Sequence, residues 1–405
     1  MRILHTSDWH LGHLLYQQKR DDEQRMFLEW LLEVIRSEGI DLLLVAGDIF
    51  DTGFPSNYAL EMYYSFLARC GSVGCRQIVI VGGNHDSPAT LRAPGEILKA
   101  LRVTVIGAID PERPEEGLVT AKDADGIPQA IICAVPYLRD RDVYMPKPAE
   151  PADQRACGIV DGTAGWYRRM TDLAIAHRRQ LGVPELPIIA TGHLFAQGGL
   201  KSGSEREIYV GDLGTFPAEK FPVEVAYIAL GHLHRPQRVR GLDTVRYSGS
   251  PLPYSFDEAG HAKQILMFDT STPLEIRTVP VPVFRNLVRI SGDIAQIGVA
   301  LRQVPVGTLT TWVEVVYTGD SLIPDLQEKV DAMSEGLPFQ IVACRRESAA
   351  GERELDQPVI NIQEVTPEEV FALRVRDAQL NEHDTALVRE AFREILFQVR
   401  QGDEA

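Results

Sequence analysis

Residues 5–13 read HTSDWHLGH. Asp8, His10 and His13 follow directly on the first apolar run, residues 1–4, where a mobile terminus is the usual expectation. Such a stretch is either a surface loop or half of a site, and the rest of the chain must decide between the two.

The pattern recurs. Apolar, β-rich runs end abruptly in polar clusters: 2–6 before Ser7, Asp8, Trp9 and His10; 41–46 before Gly47 and Asp48; 77–81 before Gly82, Gly83, Asn84, His85 and Asp86; 186–190 before Thr191, Gly192 and His193; and 225–230 before Gly231, His232, Leu233 and His234. Between them lie helical patterns such as 22–37, with Phe27, Leu31, Val34 and Ile35 on one face, and 57–69. Strands alternating with helices predict an α/β fold. In such sheets ligands gather beyond the carboxyl ends of the strands, which is where all five clusters fall.

Five of the ten histidines, His10, His85, His193, His232 and His234, sit in these clusters beside Asp8, Asp48 and Asn84. Any one of them alone reads as a hydrogen-bonded surface or core residue. Together they read as ligands. Imidazole and carboxylate without thiolate suit manganese, iron or zinc, and the number exceeds one tetrahedral ion but fits two that share a bridging group.

Composition sets the frame. A chain of 405 residues predicts two or three domains, each with its own core. Its 44% hydrophobic and 24% charged content is that of a globular enzyme, and no apolar run approaches the roughly 18 residues of a membrane span. The N-terminus lacks the apolar stretch of a secretory leader, so the expectation is a cytoplasmic protein with no membrane partner. Cys70, Cys75, Cys133, Cys157 and Cys344 form no C-x-x-C pair and read as reduced thiols without chemistry. The net charge of −16 runs against the basic footprint expected of a nucleic-acid partner.

The ordered set D-x-H, G-D-x-x-D, G-N-H-D, a lone histidine after a strand, and G-H-x-H over residues 1–260 resembles the metallophosphoesterase superfamily, whose catalytic core is calcineurin-like. The longer forms SDWHLG (7–12), VAGDIFDTG (45–53), GGNHDSPATL (82–91), GHLHRPQ (231–237) and YSGSPLPYSF (247–256) are most similar to the bacterial SbcD-type nucleases, relatives of the archaeal and eukaryotic Mre-type enzymes. The resemblance implies a four-layer α-β-β-α sandwich. It implies that Asp8, His10 and His234 bind one divalent ion, that Asn84, His193 and His232 bind a second, and that Asp48 bridges both. A carboxylate can hold two cations, which an imidazole cannot. His85 is given no metal by the family pattern and is implied to act on the scissile phosphate as the catalytic residue. Asp86 either orients an imidazole or bonds its own turn. Asp51 stands where archaeal and eukaryotic relatives resemble G-D-x-x-H, and its role stays open.

Further implied are manganese as the ion, DNA as substrate, an SbcC-like ATPase as partner, and a homodimer within a heterotetramer. The implied reaction is phosphodiester hydrolysis in repair, recombination and replication: an exonuclease of three-prime to five-prime polarity on duplexes and an endonuclease on single strands and hairpins. A stand-alone metallophosphoesterase acting on nucleotides or phosphoproteins would use the same ligands but leaves the C-terminal additions unexplained. A catalytically inactive scaffold for an ATPase is at odds with the complete ligand set.

Substrate-binding residues are not identified. His13, Tyr16, Lys19, Arg20 and Arg25, and the glycine-rich loop 197–207, are either phosphate contacts or solvated surface. Segment 139–151 reads as an irregular surface excursion. The nuclease domain is expected over 1–283. A small α+β capping domain follows over 284–350, with strands at 283–290, 312–318 and 339–345 and helices at 293–303 and 323–334. A linker over 351–365 leads to C-terminal helices over 366–405, opened by the capping-box spacing of Thr366 and Glu369. There Leu387, Val388, Ala391, Phe392, Ile395, Leu396 and Val399 form an apolar stripe that packs on its own domain or docks the ATPase.

Overall fold

The computed structural model describes residues 1–347 apart from 94, 148–149, 201–203, 206–214, 271–273, 320–322 and 324. The runs that end in polar clusters are strands: Arg2–Thr6, Leu42–Ala46, Gln77–Val81, Ile188–His193 and Val225–Gly231. The first three lie adjacent and parallel in one six-stranded sheet, and the last two are parallel neighbours in a second. One strand runs well past its expected end. The run expected to stop at residue 190 continues to His193, because its ladder with Val225–Gly231 is unbroken through Thr191 opposite Ala229, Gly192 opposite Leu230 and His193 opposite Gly231. His193 is therefore a strand residue.

Alternation along the strands builds the layers. Ile3, Leu42, Leu44, Val79 and Val81 face inward onto Ala130, Ile132, Ile189, Tyr227 and Ala229 of the second sheet. Their neighbours Leu4, Leu43, Val45, Ile78 and Ile80 face outward onto Phe27, Leu31 and Ile35 of helix Asp21–Glu38 and Tyr63 and Phe66 of helix Asn57–Cys70. Each such side chain contributes about 1.5–3 kcal/mol by burial. Ser56 caps the second helix, its hydroxyl accepting from Ala59 N at 3.2 Å, and Gly39 ends the first in the left-handed conformation at φ 64°.

The outer face of the second sheet is covered by helix Ala152–Gln180, which presents Trp166, Tyr167, Met170 and Ala174 to Ile131, Ile188, Ile228 and Leu230. The result is four layers, helix on sheet on sheet on helix. The sequence pattern did not predict this 29-residue helix. It also left unassigned the strands Val245–Tyr247, Gln264–Asp269 and Ile276–Pro280. Within the stretch expected to be irregular, Asp140–Val143 form a short helix.

Strands Leu287–Gly292, Thr311–Tyr317 and Phe339–Arg346 make a separate parallel sheet with Thr311–Tyr317 in the middle. Helices Ile294–Leu301 and Leu326–Ser334 cover it, burying Ile297, Leu301 and Val330 against Val313, Val315 and Tyr317. The first of these strands begins at 287 rather than 283, and the second helix at 326 rather than 323. This sheet and the four layers belong to one compact unit, Met1–Glu347. The linker and the terminal helices expected beyond it lie outside the described residues.

Candidate metal centre

The ligand-bearing loops are held by main-chain pairing that extends the sheet past its strand ends. Asp8 N donates to Gly47 O at 2.9 Å, His10 N to Asp48 O at 3.0 Å and Leu11 N to Ile49 O at 2.9 Å. This brings the first two motifs side by side. Four of the expected ligands adopt left-handed backbone: Asp8 at φ 53°, His10 at 42°, Asp48 at 50° and His232 at 99°. Such conformations cost on the order of 1–3 kcal/mol each and persist only where the surroundings over-determine them. Here the pairing just described, together with His232 N donating to Asp8 Oδ1 at 2.8 Å, supplies that constraint.

Two glycines are required by close approach. A β-carbon on Gly83 would overlap the Asp48 carboxylate, and one on Gly231 would overlap the carbonyl of Ala46 and crowd His193. No larger residue fits at either position.

All seven expected ligands converge. Ligand atoms of Asp8, His10 and His234 lie within 4.8 Å of one another, as do those of Asp48, His193 and His232. Asn84 Oδ1 lies 2.9 Å from His193 Nε2. One oxygen joins the groups: Asp48 Oδ2 is 3.2 Å from His193 Nε2 and 3.6 Å from His10 Nε2. The other carboxylate oxygen, Oδ1, accepts the His85 main-chain N–H at 2.9 Å. A single oxygen, rather than one for each side, thus faces both groups.

The outer nitrogens of the rings test whether this set fits cations. His193 Nδ1 bonds Ala46 O at 3.0 Å, His234 Nδ1 lies 2.6 Å from Ser204 Oγ, and His10 Nδ1 lies 3.4 Å from Asp51 Oδ1. An imidazole whose Nδ1 faces an oxygen acceptor presents a lone pair at Nε2. The Nε2 atoms of His10 and His234 face each other at 3.2 Å, an arrangement suited to a common cation. The donor set is nitrogen and oxygen only, and it fits two divalent ions.

The electrostatics agree. Burial opposes charge on Asp48, yet His193 and His10 hold its carboxyl well below the usual range. Burial likewise works against a charged His193, and Asp48 lifts that ring to about 9. Burial, reinforced by His193, keeps His232 well below an ordinary histidine, in the neutral form that ligates. Among the expected site residues only Asn84 and His85 are half-buried, so the centre opens to solvent on their side.

His85 stands at that opening, its ring edge-on to His10 with centroids 4.7 Å apart and its Nδ1 2.7 Å from Asp51 O. Asp86 does not orient an imidazole. Its carboxylate accepts from Gly83 N at 2.9 Å in its own turn, and from Ile49 N and Phe50 N at 3.1 and 3.0 Å in the Asp48 loop. Burial, then Asp48, raises it to about 6. The Asp51 carboxylate faces His13 Nδ1 at 3.0 Å as well as His10.

The loop residues part company. Arg20 is buried, paired with Glu23 and bonded to Pro253 O, and is not a surface phosphate contact. Tyr16 donates to Glu314 Oε1 at 2.7 Å, whereas Arg25 is exposed and pairs with Asp22. Much of the loop 197–207 lies outside the described residues. Cys75 and Cys133 are pushed up to about 12 by burial, which leaves them inert.

Sequence reasoning gave no part to several residues around the expected ligands. Tyr254 bonds Asp8 O at 3.1 Å and packs its ring against His10, His13 and His234. Ser204 and Glu258 stand behind His234 Nδ1, and buried Lys263 binds Glu258 and donates to His234 O at 3.1 Å. The run YSGSPLPYSF carried a signal for Tyr254, an aromatic in a motif with no assigned part. Nothing local to Glu258 or Lys263 marks them.

Among the described residues no helix is long and apolar enough to cross a membrane. The family model for calcineurin-like phosphoesterases matches residues 1–236, and that for the type 5 capsule protein repressor C-terminal domain matches residues 283–379. The chain is 37% identical over 402 residues to the SbcD subunit of nuclease SbcCD from Escherichia coli (strain K12), covering 97% of each. It is 33% identical over 387 residues to the protein of the same name from Rhodobacter capsulatus, covering 92% of this chain and 94% of that one. Among solved structures, a dimetal phosphatase from Danio rerio aligns with 70% of this chain and 99% of its own at 11% identity and a TM-score of 0.41. The chain belongs to the calcineurin-like phosphoesterases and, within them, to the SbcD family of nuclease subunits.

Proposed function

We propose that this nuclease subunit hydrolyses DNA phosphodiesters at ends and hairpins, using two manganese ions and an SbcC-like ATPase partner. Asp8, His10 and His234 would hold one ion, Asn84, His193 and His232 the other, and Asp48 both. The observation that carries this reading is the single Asp48 oxygen facing both imidazole groups. Two divalent ions, when bound, would supply an activated water nucleophile and offset charge on the phosphoryl oxygens.

The chain's own residues do the rest. Asp48 is fixed for sharing because His85 N ties down its second oxygen. His85, at the solvent side of the centre and tethered by Asp51 O, supplies a proton to the leaving oxygen or stabilises charge on the phosphate. Asp8 and Asp48 bring two negative charges against four from the ions, so the centre attracts a phosphodiester although the whole chain carries −16. Sequence-independent grip on DNA then falls largely to the partner, in a homodimer within a heterotetramer. The stripe from Leu387 to Val399 is the proposed docking surface for that partner.

The test is hydrolysis of labelled duplex and hairpin DNA with manganese or EDTA, with and without the ATPase subunit. Manganese-dependent cleavage stimulated by ATP and the partner is the expected result. Cleavage that survives EDTA, or activity confined to nucleotides or phosphoproteins, overturns it.

A further inference from the structure

We infer that the three-stranded parallel sheet around Thr311–Tyr317 sets the affinity of the Asp8–His10–His234 site through a buried relay, Trp312, Arg285, Glu23, Arg20 and Tyr254, and acts on the other site more weakly. The inference rests on the reading of those three residues as ligands.

The relay is continuous. Arg285, just before strand Leu287–Gly292, lies over the Trp312 ring with its guanidinium carbon 4.2 Å from the centroid, and donates to Thr310 O at 2.6 Å. Its Nε is 2.9 Å from Glu23 Oε1. Glu23, in the first turn of helix Asp21–Glu38, is fully buried and accepts from Arg20 Nε at 3.1 Å. Arg20 donates to Pro253 O, and its guanidinium carbon lies 5.7 Å from the centroid of the Tyr254 ring. Tyr254 closes the path: its hydroxyl faces the adjacent carbonyls Trp9 O at 2.5 Å and Asp8 O at 3.1 Å, and its ring stands edge-on to His10 and His234 at 5.0 and 5.3 Å between centroids. One aromatic residue thus touches all three members of one group.

Every member of the relay is buried. A carboxylate buried between two guanidiniums tolerates little displacement, because losing either partner leaves charge uncompensated in a low dielectric. Tyr254 is in turn confined by Arg20 on one side and the imidazoles on the other, and close-packed interiors transmit such constraints. The second group is held differently. His193 is anchored by Ala46 O within the sheet core, and the space around its ring is kept by Gly47 and Gly231. Its ring meets Asn84 and His232 rather than a member of the relay. Tyr254 and Arg285 are therefore positioning residues, acting through the ligands rather than on the substrate.

The test is manganese titration of the full chain by calorimetry and electron paramagnetic resonance, with the two binding steps assigned from His234→Ala and His193→Ala. Outer-sphere partners of metal ligands contribute roughly 10- to 100-fold to affinity. Arg285→Met, which keeps a side chain over Trp312, should weaken the His234 step by about tenfold and the other step by less. Tyr254→Phe, which keeps the ring and removes the hydroxyl, should weaken the same step and decides the matter if Arg285→Met does not fold. In the double variant the losses should combine to less than their product, as for residues in one network. Unchanged steps, equal weakening of both, or full multiplicativity overturns the relay. A wild-type chain that does not bind two ions overturns the ligand reading instead.

Discussion

The imidazole of His85 is tethered through Nδ1 to the main-chain carbonyl of Asp51 at 2.7 Å. The tether uses the backbone of residue 51, so it is indifferent to which side chain stands there, while the carboxylate turns away to His13 and His10.

His85→Gln should therefore leave both ions bound while lowering cleavage by about 100-fold or more, the usual scale for a general acid or charge stabiliser. Elemental analysis of the purified variant beside its rate checks both halves. Loss of an ion would move His85 into the ligand set.

Asp48→Ala should lower occupancy at both sites and abolish hydrolysis, because the one oxygen that faces both groups is gone. Retention of two ions per chain would refute the bridge.

Gly83→Ala puts a methyl group where the Asp48 carboxylate lies. Overpacking of this kind costs typically about 1–3 kcal/mol. The expected outcome is a lowered melting temperature together with weakened binding at both sites, and a metal content equal to wild type would show that the carboxylate can yield.

His5 gives a pH dependence. It is buried between the two sheets with Nδ1 3.0 Å from Tyr227 Oη, and burial lowers it to about 3. A base depressed in the folded state contributes stability that is present above its unfolded value near 6.5 and lost as pH falls towards 3. Urea unfolding between about pH 6 and pH 4 should thus show a steeper loss in wild type than in His5→Gln, by about 1.4 kcal/mol per pH unit. Parallel slopes would mean that His5 charges in the fold.

Phe392→Glu or Leu396→Glu should abolish ATP stimulation while sparing basal, manganese-dependent cleavage, since an unpaired carboxylate in a helix contact costs several kcal/mol, on the order of 100-fold or more in affinity. Co-purification with the ATPase subunit measures it. Undiminished binding would sink the docking proposal.

The convergence of the expected ligands was legible in the sequence because each of these residues sits where a strand stops or a few residues beyond that point, and strands announce themselves by apolar, β-branched runs. The layers followed from alternation, as at Leu42, Leu43, Leu44 and Val45, which divide between the two cores. Helix Ala152–Gln180 did not announce itself. Its buried positions Ile159, Trp166, Tyr167, Met170 and Ala174 are spread thinly among glycines and polar residues, and its N-cap Pro151 makes no side-chain capping bond. Glu23, Glu258 and Lys263 were illegible for a different reason. A buried charge is recognisable only beside its partner, and Glu23 meets Arg285 across 262 residues of chain.

The left-handed backbone at Asp8, His10, Asp48 and His232 is held by bonds the chain makes to itself. On these bonds alone the conformation should persist without ions. Chelation should strip the centre without unfolding the protein, and returning manganese should restore activity without a refolding step. In a cell the same property would let metal supply govern activity while leaving the fold alone.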